Sequence, residues 1–369
     1  MKFSTLFLQT KNEHLTKDIG AIPYFLNKEH GYETEIITYK NQENYSNHDK
    51  IMPNVKLSFI DRSLLGEIYD GARFIIKNAS TIDILNLYHL SIKSSIWAYI
   101  YKRINKNGKL YLKTDASYTS VDKLKKCLLK RIIIKKLFNY SDIVSVESAK
   151  ILKEIDSTIS HNYVLIPNGI FEDDKIVRFP KKEKIFLFVG RVDAPEKNVD
   201  FLIDAFLKSN VDKSWILKLV GPCSKEYQAK VNERIQNAVN NNIRHVEFSG
   251  AIYDRYDLEC LYEKAAVLVL PSKYESYGIV LVEALSKGCY LIASDNIPPL
   301  QEITCNYKFG ERVDVQNVNS LVQALEKAAV ERYTDEQRIL EQVKYAKENY
   351  SWKRIIYTLN LLIKNSIQK

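Results

Sequence analysis

Residues 266–285 read Ala266-Val267-Leu268-Val269-Leu270, Pro271-Ser272-Lys273-Tyr274-Glu275, Ser276-Tyr277-Gly278-Ile279-Val280, Leu281-Val282-Glu283-Ala284-Leu285. The apolar run Ala266–Leu270 has the length of a buried strand, and the apolar residues from Ile279 onward open a helix. A strand, a short glycine-bearing loop and a helix start make a seat for an anion. The first N–H groups of a helix lack intrahelical partners, and its dipole is positive at that end. Glu275 in the loop and Glu283 in the first turns of the helix flank Gly278. Acceptor-only carboxylates suit vicinal hydroxyls. The segment therefore suits a ligand with phosphate in its middle and hydroxyl-rich groups at both ends, as in a nucleotide-sugar.

Outward from this stretch, short β-branched or aromatic runs alternate with helical patterns along nearly the whole chain. That alternation predicts parallel sheets with helices on both faces. In the first half the predicted strands are 3–8, 35–39, 55–60, 82–87, 109–113, 142–146 and 163–166. The helices between them include 21–29, with Pro23 in its first turn, and 64–78, 92–104 and 121–139. Pro167-Asn168-Gly169 breaks the pattern, and the charged stretch Glu172–Lys184 reads as turn-like. Strands are predicted again at 185–189, 215–220, 246–249, 266–270 and 290–293, with helices at 198–208, 224–240, 258–264 and 279–287. After Asn317 only helical patterns remain, closing with 352–364. The expectation is two doubly wound domains, 1–170 and 185–346, joined by a linker at 171–184. Residues 347–369 are expected to form a C-terminal helix that returns to pack on the first domain. Ligands of such domains bind at the carboxyl ends of the strands, in the cleft between the two.

At 369 residues the chain has length for two domains, each with its own core. Hydrophobic content of 46% and charged content of 27% belong to a soluble globular protein and argue against disorder. The opening Lys2–Gln9 is apolar too briefly for a signal-peptide core and reads as a first strand. No stretch reaches the roughly 20 apolar residues of a membrane span. Five cysteines, odd in number and without paired metal-type spacing, read as reduced thiols of a cytosolic protein. The net charge of +9 suits nucleic acid, an anionic membrane or a phosphorylated substrate. No nucleic-acid module occurs along the chain, which argues against the first.

In the second half four segments stand in a fixed order: Val189-Gly190-Arg191 followed by Glu196-Lys197-Asn198; Leu219-Val220-Gly221; the opening stretch, with Glu275 and Glu283 eight apart; and Ser294-Asp295 followed by Glu302-Ile303. The set resembles the retaining nucleotide-sugar glycosyltransferases of family 4, which have the two-domain GT-B fold. Weaker echoes are Asp142–Ser148 and Ile166–Ile170. The resemblance implies that Arg191 and Lys197 neutralise the charge on the departing nucleoside diphosphate, that Glu275 grips the donor sugar and that Glu283 grips the ribose. Ser276, Tyr277 and the backbone N–H groups of Gly278, Ile279, Val280 and Leu281 would complete the donor site, with Gly190 and Gly221 allowing close backbone approach. The side chains at 279–281 are expected to turn back to the core.

These residues also have readings of their own. Arg can fork onto two phosphate oxygens and Lys acts as a point charge; otherwise Arg191 and Lys197 are two solvated cations. An acid early in a helix is favoured by the dipole whatever its function. In the first half, Tyr88-His89 falls where the family carries a histidine near the transferred sugar, although a lone histidine is often structural. Asp115 is a candidate for the same floor or a simple cap. Asp18-Ile19-Gly20 lies where relatives have a glycine-rich loop facing the diphosphate. It departs from that pattern by its single glycine and its acid, which points to the acceptor instead. The tail Asn296-Ile297-Pro298-Pro299-Leu300 stands where many relatives have paired glycines.

The implied donor is a UDP- or GDP-sugar and the implied acceptor a saccharide or lipid-linked saccharide, with no metal. The basic run Lys123–Lys136 reads as part of one helix with the stripe Val121, Leu124, Leu128, Ile132, bordered by Arg131 and Lys135. Such a helix either docks on anionic lipid at the inner face of the cytoplasmic membrane or packs on the core with a basic edge. Two other functions stay open: a GT-B isomerase acting on a nucleotide-sugar, and a non-catalytic binding subunit. A dinucleotide-binding oxidoreductase is excluded, since no Gly-x-Gly-x-x-Gly follows a predicted strand.

Overall fold

The computed structural model describes residues 1–171, 181–238, 245–331 and 335–368. The chain divides into two compact units, Met1–Glu172 with Tyr350–Lys369, and Asp173–Asn349. Most of the expected linker, residues 172–180, lies outside the described residues, as do the last two residues of the expected helix 224–240.

The first unit holds β1 (Lys2–Leu6), β2 (Glu33–Thr38), β3 (Lys56–Phe59), β4 (Ile84–Tyr88), β5 (Lys109–Lys113), β6 (Ile143–Val146) and β7 (Tyr163–Leu165). They form one seven-stranded parallel sheet in the order β3-β2-β1-β4-β5-β6-β7. The order reverses between β1 and β4, so the adjoining crossovers leave in opposite directions and open a crevice at the carboxyl ends of those strands. One face of the sheet packs Leu85, Leu110, Val144 and Trp97. The other packs Phe3, Ile84 and Tyr111 against Ile22 and Phe25 of the helix Asp18–His30 and against Trp352, Ile356, Leu359 and Ile363 of the helix Trp352–Gln368. Each fully buried Ile or Leu of that last helix contributes roughly 1.5–3 kcal/mol. Ile170 N–H donates to the Tyr350 carbonyl at 2.8 Å, and Trp352 N–H returns to the Ile170 carbonyl at 3.1 Å.

The second unit holds β8 (Glu183–Val189), β9 (Ile216–Val220), β10 (His245–Gly250), β11 (Ala265–Leu270), β12 (Tyr290–Ser294) and β13 (Gly310–Val313). Its parallel sheet runs β10-β9-β8-β11-β12-β13, with the reversal between β8 and β11. Every residue of β11 and β12 is buried, as befits strands covered on both faces.

Several expectations need correction. The helix predicted at 21–29 begins at Asp18, which puts Pro23 inside it and Asp18-Ile19-Gly20 in its first turn, where a loop was expected. The Pro23 ring removes one ladder N–H from that helix. The turn-like stretch was expected to run to Lys184, but β8 already starts at Glu183. Lys182 is buried, its Nζ donating to the carbonyls of Tyr262 at 3.0 Å and Lys287 at 2.6 Å. Burial pushes its pKa below the ordinary lysine value. The single helix 121–139 is two helices, Tyr118–Lys126 and Leu128–Tyr140, separated by Cys127 in extended conformation. The expected stripe breaks there: Val121 and Leu124 are buried, whereas Leu128, Leu129 and Ile132 are exposed and Ile134, Leu137 and Phe138 go inside. The edge strand β13 was not predicted.

Candidate functional site

In the second unit the chain leaves β8 through Gly190-Arg191 and leaves β9 through Gly221. Gly190 N–H donates to the Val220 carbonyl at 2.9 Å. A Cβ on Gly221 would lie 1.8 Å from the Gly190 carbonyl oxygen, so the two loops touch only because Gly221 is bare. The loop after β8 is stitched to the loop after β11, with Lys273 N–H donating to the Glu196 carbonyl at 2.8 Å. The Lys197 ammonium bonds the Glu275 carboxylate, and Ser272 Oγ donates to the same carboxylate oxygen at 3.2 Å. Arg191 pairs with Glu196, and its side chain stays 64% exposed. Of the two cations, Arg191 is thus the one open to solvent, while Lys197 and Glu275 are mostly covered.

Gly278 begins the helix Ile279–Ser286 in the left-handed conformation, φ +78°, with no side chain to cap the turn that follows. No side chain caps that first turn, which begins three residues after Glu275; of its N–H groups, that of Leu281 donates to the Gly278 carbonyl at 2.9 Å. Any Cβ at Gly278 would be strained by this φ and would meet Leu281 Cδ1 at 3.2 Å. Of the three side chains expected to face the core, only Leu281 is buried; Ile279 and Val280 are half-buried. Tyr277 is buried and Ser276 half-buried. Glu283, on the same helix, accepts from the hydroxyl of buried Tyr262 at 3.0 Å. Burial, with Glu283 alongside, pushes the Tyr262 phenol well above its ordinary pKa, so it stays a donor and orients that carboxylate. The Ile297-Pro298-Pro299 tail is buried, with Ile297 packed near Gly278.

The first unit gathers a second cluster at the carboxyl ends of β4, β5 and β6. His89, directly after β4, and Asp115, two residues past β5, both have positive φ, +67° and +42°. Non-glycine residues pay about 1–2 kcal/mol each for that conformation. His89 Nδ1 lies 3.6 Å from Asp115 Oδ2. The Phe7 ring meets the rings of His89, Tyr88 and His14 edge-on at 5.6–5.8 Å between centroids. Asp18, in the first turn of its helix, lies 3.5 Å from the Lys113 ammonium. Gly20 is packed against the Leu15 carbonyl, where a Cβ would come within 2.0 Å, so its place is structural.

Two residues of this cluster were not among the expected site residues. Lys113 ends β5 and Glu147 follows β6, and both are buried, with Nζ to Oε1 at 2.8 Å. Burial works against the Lys113 ammonium, but the carboxylates of Glu147 and Asp18 outweigh it and hold its pKa above the ordinary lysine range. The available signal was the charge pattern: a lysine ending a strand otherwise suited to the core, and an acid just past the next one.

Residues 169–349 match the family model described as glycosyl transferases group 1. The chain is 26% identical over 294 residues to an uncharacterized glycosyltransferase of Methanocaldococcus jannaschii, covering 78% of each. It is 30% identical over 143 residues to the phosphatidyl-myo-inositol mannosyltransferase of Mycobacterium leprae, covering 36% of this chain and 35% of that enzyme. Among solved structures, the sucrose-phosphate synthase of Thermosynechococcus elongatus superposes with TM-score 0.75 at 17% identity over 99% of this chain and 98% of that one. Anabaena HepE in complex with UDP and glucose gives TM-score 0.74 at 13% identity, over 99% of this chain and 100% of that one. At such identities the structural likeness speaks for the fold.

Proposed function

From the premise that this chain is a glycosyltransferase of group 1 with the GT-B fold, we propose that it moves a hexose-type sugar from a UDP- or GDP-sugar to a hydroxyl of a saccharide acceptor. The anomeric configuration is retained, as in family 4, and the product belongs to a bacterial surface polysaccharide or glycolipid. The observation that carries this reading is the Lys197–Glu275 pair beside the uncapped helix start at Gly278. It unites a cation, a hydroxyl acceptor and a helix start that no side chain caps in one loop cluster. The UDP and glucose bound by HepE, a protein of the same fold, favour a donor of this kind.

On this reading Arg191 and Lys197 leave their carboxylates for the diphosphate and stabilise the charge that grows on it as the glycosidic bond breaks. The N–H groups of the 278–281 turn hold the phosphates, Glu275 takes sugar hydroxyls, and Glu283, oriented by Tyr262, takes the ribose. The first unit takes the acceptor, with His89, Asp115 and Asp18 as its polar groups. The acceptor hydroxyl attacks C1 on the face the leaving group vacates, and a phosphate oxygen receives its proton. No protein nucleophile is assigned, and no metal is needed on this reading, since Arg191 and Lys197 neutralise the departing diphosphate.

Exposed Leu128, Leu129 and Ile132, between Lys125-Lys126 and Lys135-Lys136, support docking of this surface on anionic lipid beside a lipid-linked acceptor. No helix among the described residues is long and apolar enough to cross a membrane. Flotation with and without anionic lipid tests the docking, and equal partitioning ends it.

The deciding experiment is a thermal-shift screen of UDP- and GDP-sugars, followed by acceptor-dependent release of nucleoside diphosphate, with and without EDTA, and NMR of the product anomer. Arg191→Ala should lose the shift; a retained shift overturns the donor site, and an inverted product overturns retention.

A further inference from the structure

Glu147 is enclosed by donors. Its Oε1 accepts from Lys113 Nζ at 2.8 Å and from the Asp115 N–H at 3.1 Å, and its Oε2 accepts from the Ala116 N–H and the Thr114 hydroxyl, both at 3.4 Å. One buried carboxylate thus holds three consecutive residues of the turn after β5. Lys113 joins this turn to the neighbouring one, because its carbonyl accepts the His89 N–H at 3.0 Å. Both left-handed residues, His89 and Asp115, are therefore tied to the Lys113–Glu147 pair. Strained backbone of this kind persists where its surroundings over-determine it. The side chains so presented, His89 and Asp115, are 41% and 31% exposed and face each other at 3.6 Å.

We propose that Glu147, together with Lys113, is a positioning residue: it fixes the Thr114–Ala116 turn so that Asp115 orients the His89 imidazole toward substrate. The Asp115 carboxylate, 3.6 Å from Nδ1, electrostatically favours the proton on that nitrogen and leaves Nε2 as the acceptor for a substrate hydroxyl. The substrate part of this proposal rests on the proposed function, since it takes the His89 end of the sheet as the acceptor side. Glu147 itself touches no substrate. A bare cluster of acids would not act this way; here the carboxylate is matched to one ammonium and two backbone donors. Asp115 is the charged group that faces the imidazole; Asp18 and Glu147 pair with Lys113 in the same cluster, and His14 lies across the Phe7 ring.

The test uses the full chain with 15N-labelled histidine. Glu147→Gln keeps the shape and one acceptor oxygen but not the charge facing Lys113. The double variant Lys113→Met/Glu147→Gln leaves no unpaired buried charge if the single variant folds poorly. The expected result is that the His89 ring 15N signals move in the direction produced by Asp115→Asn. Turnover should fall roughly ten- to a hundredfold, with the thermal shift by donor nucleotide-sugar unchanged. A folded Glu147→Gln or double variant whose His89 ring signals match those of the wild type overturns the positioning role. The underlying reading is tested separately by His89→Ala. Full activity there refutes the substrate-facing assignment even if Glu147→Gln moves the imidazole signals.

Discussion

The two sheets of this protein end in polar clusters built on opposite plans. In the second unit the cations are shallow: Arg191 is mostly exposed on Glu196, and Lys197 lies under partial cover on Glu275. In the first unit Lys113 and Glu147 have side chains 0% and 3% exposed. An exposed pair such as that of Arg191 is worth about 0–1 kcal/mol, so a diphosphate can take over its cation at little cost, and Lys197 is less deeply covered than Lys113. A buried pair cannot be exchanged, because removing one member strands the other's charge away from water. Shallow pairs are suited to trading partners with a ligand, and the deep pair is suited to holding backbone shape.

This contrast can be broken by experiment. Lys113→Met should cost about 3–5 kcal/mol of stability by leaving Glu147 unpaired, read by denaturant unfolding. A loss below about 1 kcal/mol would mean the deep pair does not set its edge of the sheet. Lys197→Ala should do the reverse, lowering turnover by roughly 10²–10³, or about 2.7–4 kcal/mol of barrier, with a smaller loss of stability than Lys113→Met. Steady-state kinetics beside the same unfolding curve would show whether the two effects separate. Gly221→Ala should cost about 1–3 kcal/mol, since the new Cβ meets the Gly190 carbonyl and the loops must part. Donor affinity should weaken with it, as calorimetric titration would show.

The smallest effect concerns pH. Burial, with Lys17 nearby, lowers the pKa of His14 below 6.5, and its Nδ1 accepts the Lys11 N–H at 3.0 Å, which requires an unprotonated nitrogen. The unfolded chain then binds the proton first, so stability is complete above the unfolded value and declines as pH falls below it. The decline in Tm from about pH 7.5 to about pH 5.5 should shrink in His14→Leu; an unchanged slope would remove His14 from the account.

The fold was legible because its strands carry their own mark. Runs such as Ala265–Leu270, buried on both faces, read as parallel strands before any partner is known. The donor-side cluster was legible for a related reason, since its residues sit in short loops directly after such strands. Strand β13 escaped because Gly-Glu-Arg-Val at a sheet edge has a half-exposed centre and too few apolar residues. The break at Cys127 has no Gly or Pro to announce it. What fixes it is that Val121 and Leu124 turn inward from one helix while Ile134, Leu137 and Phe138 do so from the next. The Lys113–Glu147 pair lies 34 residues apart in sequence. It forms because Lys113 pairs with Ser145 across the sheet, which puts Glu147, two residues on, on the same face. Register of that kind is a property of two strands together, and neither strand states it alone.

The bridge between Ile170 and Ser351 has a consequence for how the protein is made. The first unit is interrupted at that bridge by the whole of the second, and it resumes only with Trp352, Ile356, Leu359 and Ile363. At translation speeds of 5–20 residues per second, roughly 10–40 seconds separate residue 170 from residue 363. Throughout that interval Phe3, Ile84 and Tyr111 have only the helix Asp18–His30 of their two covering helices. That face of the nascent first unit is completed only after the whole of the second unit has been made.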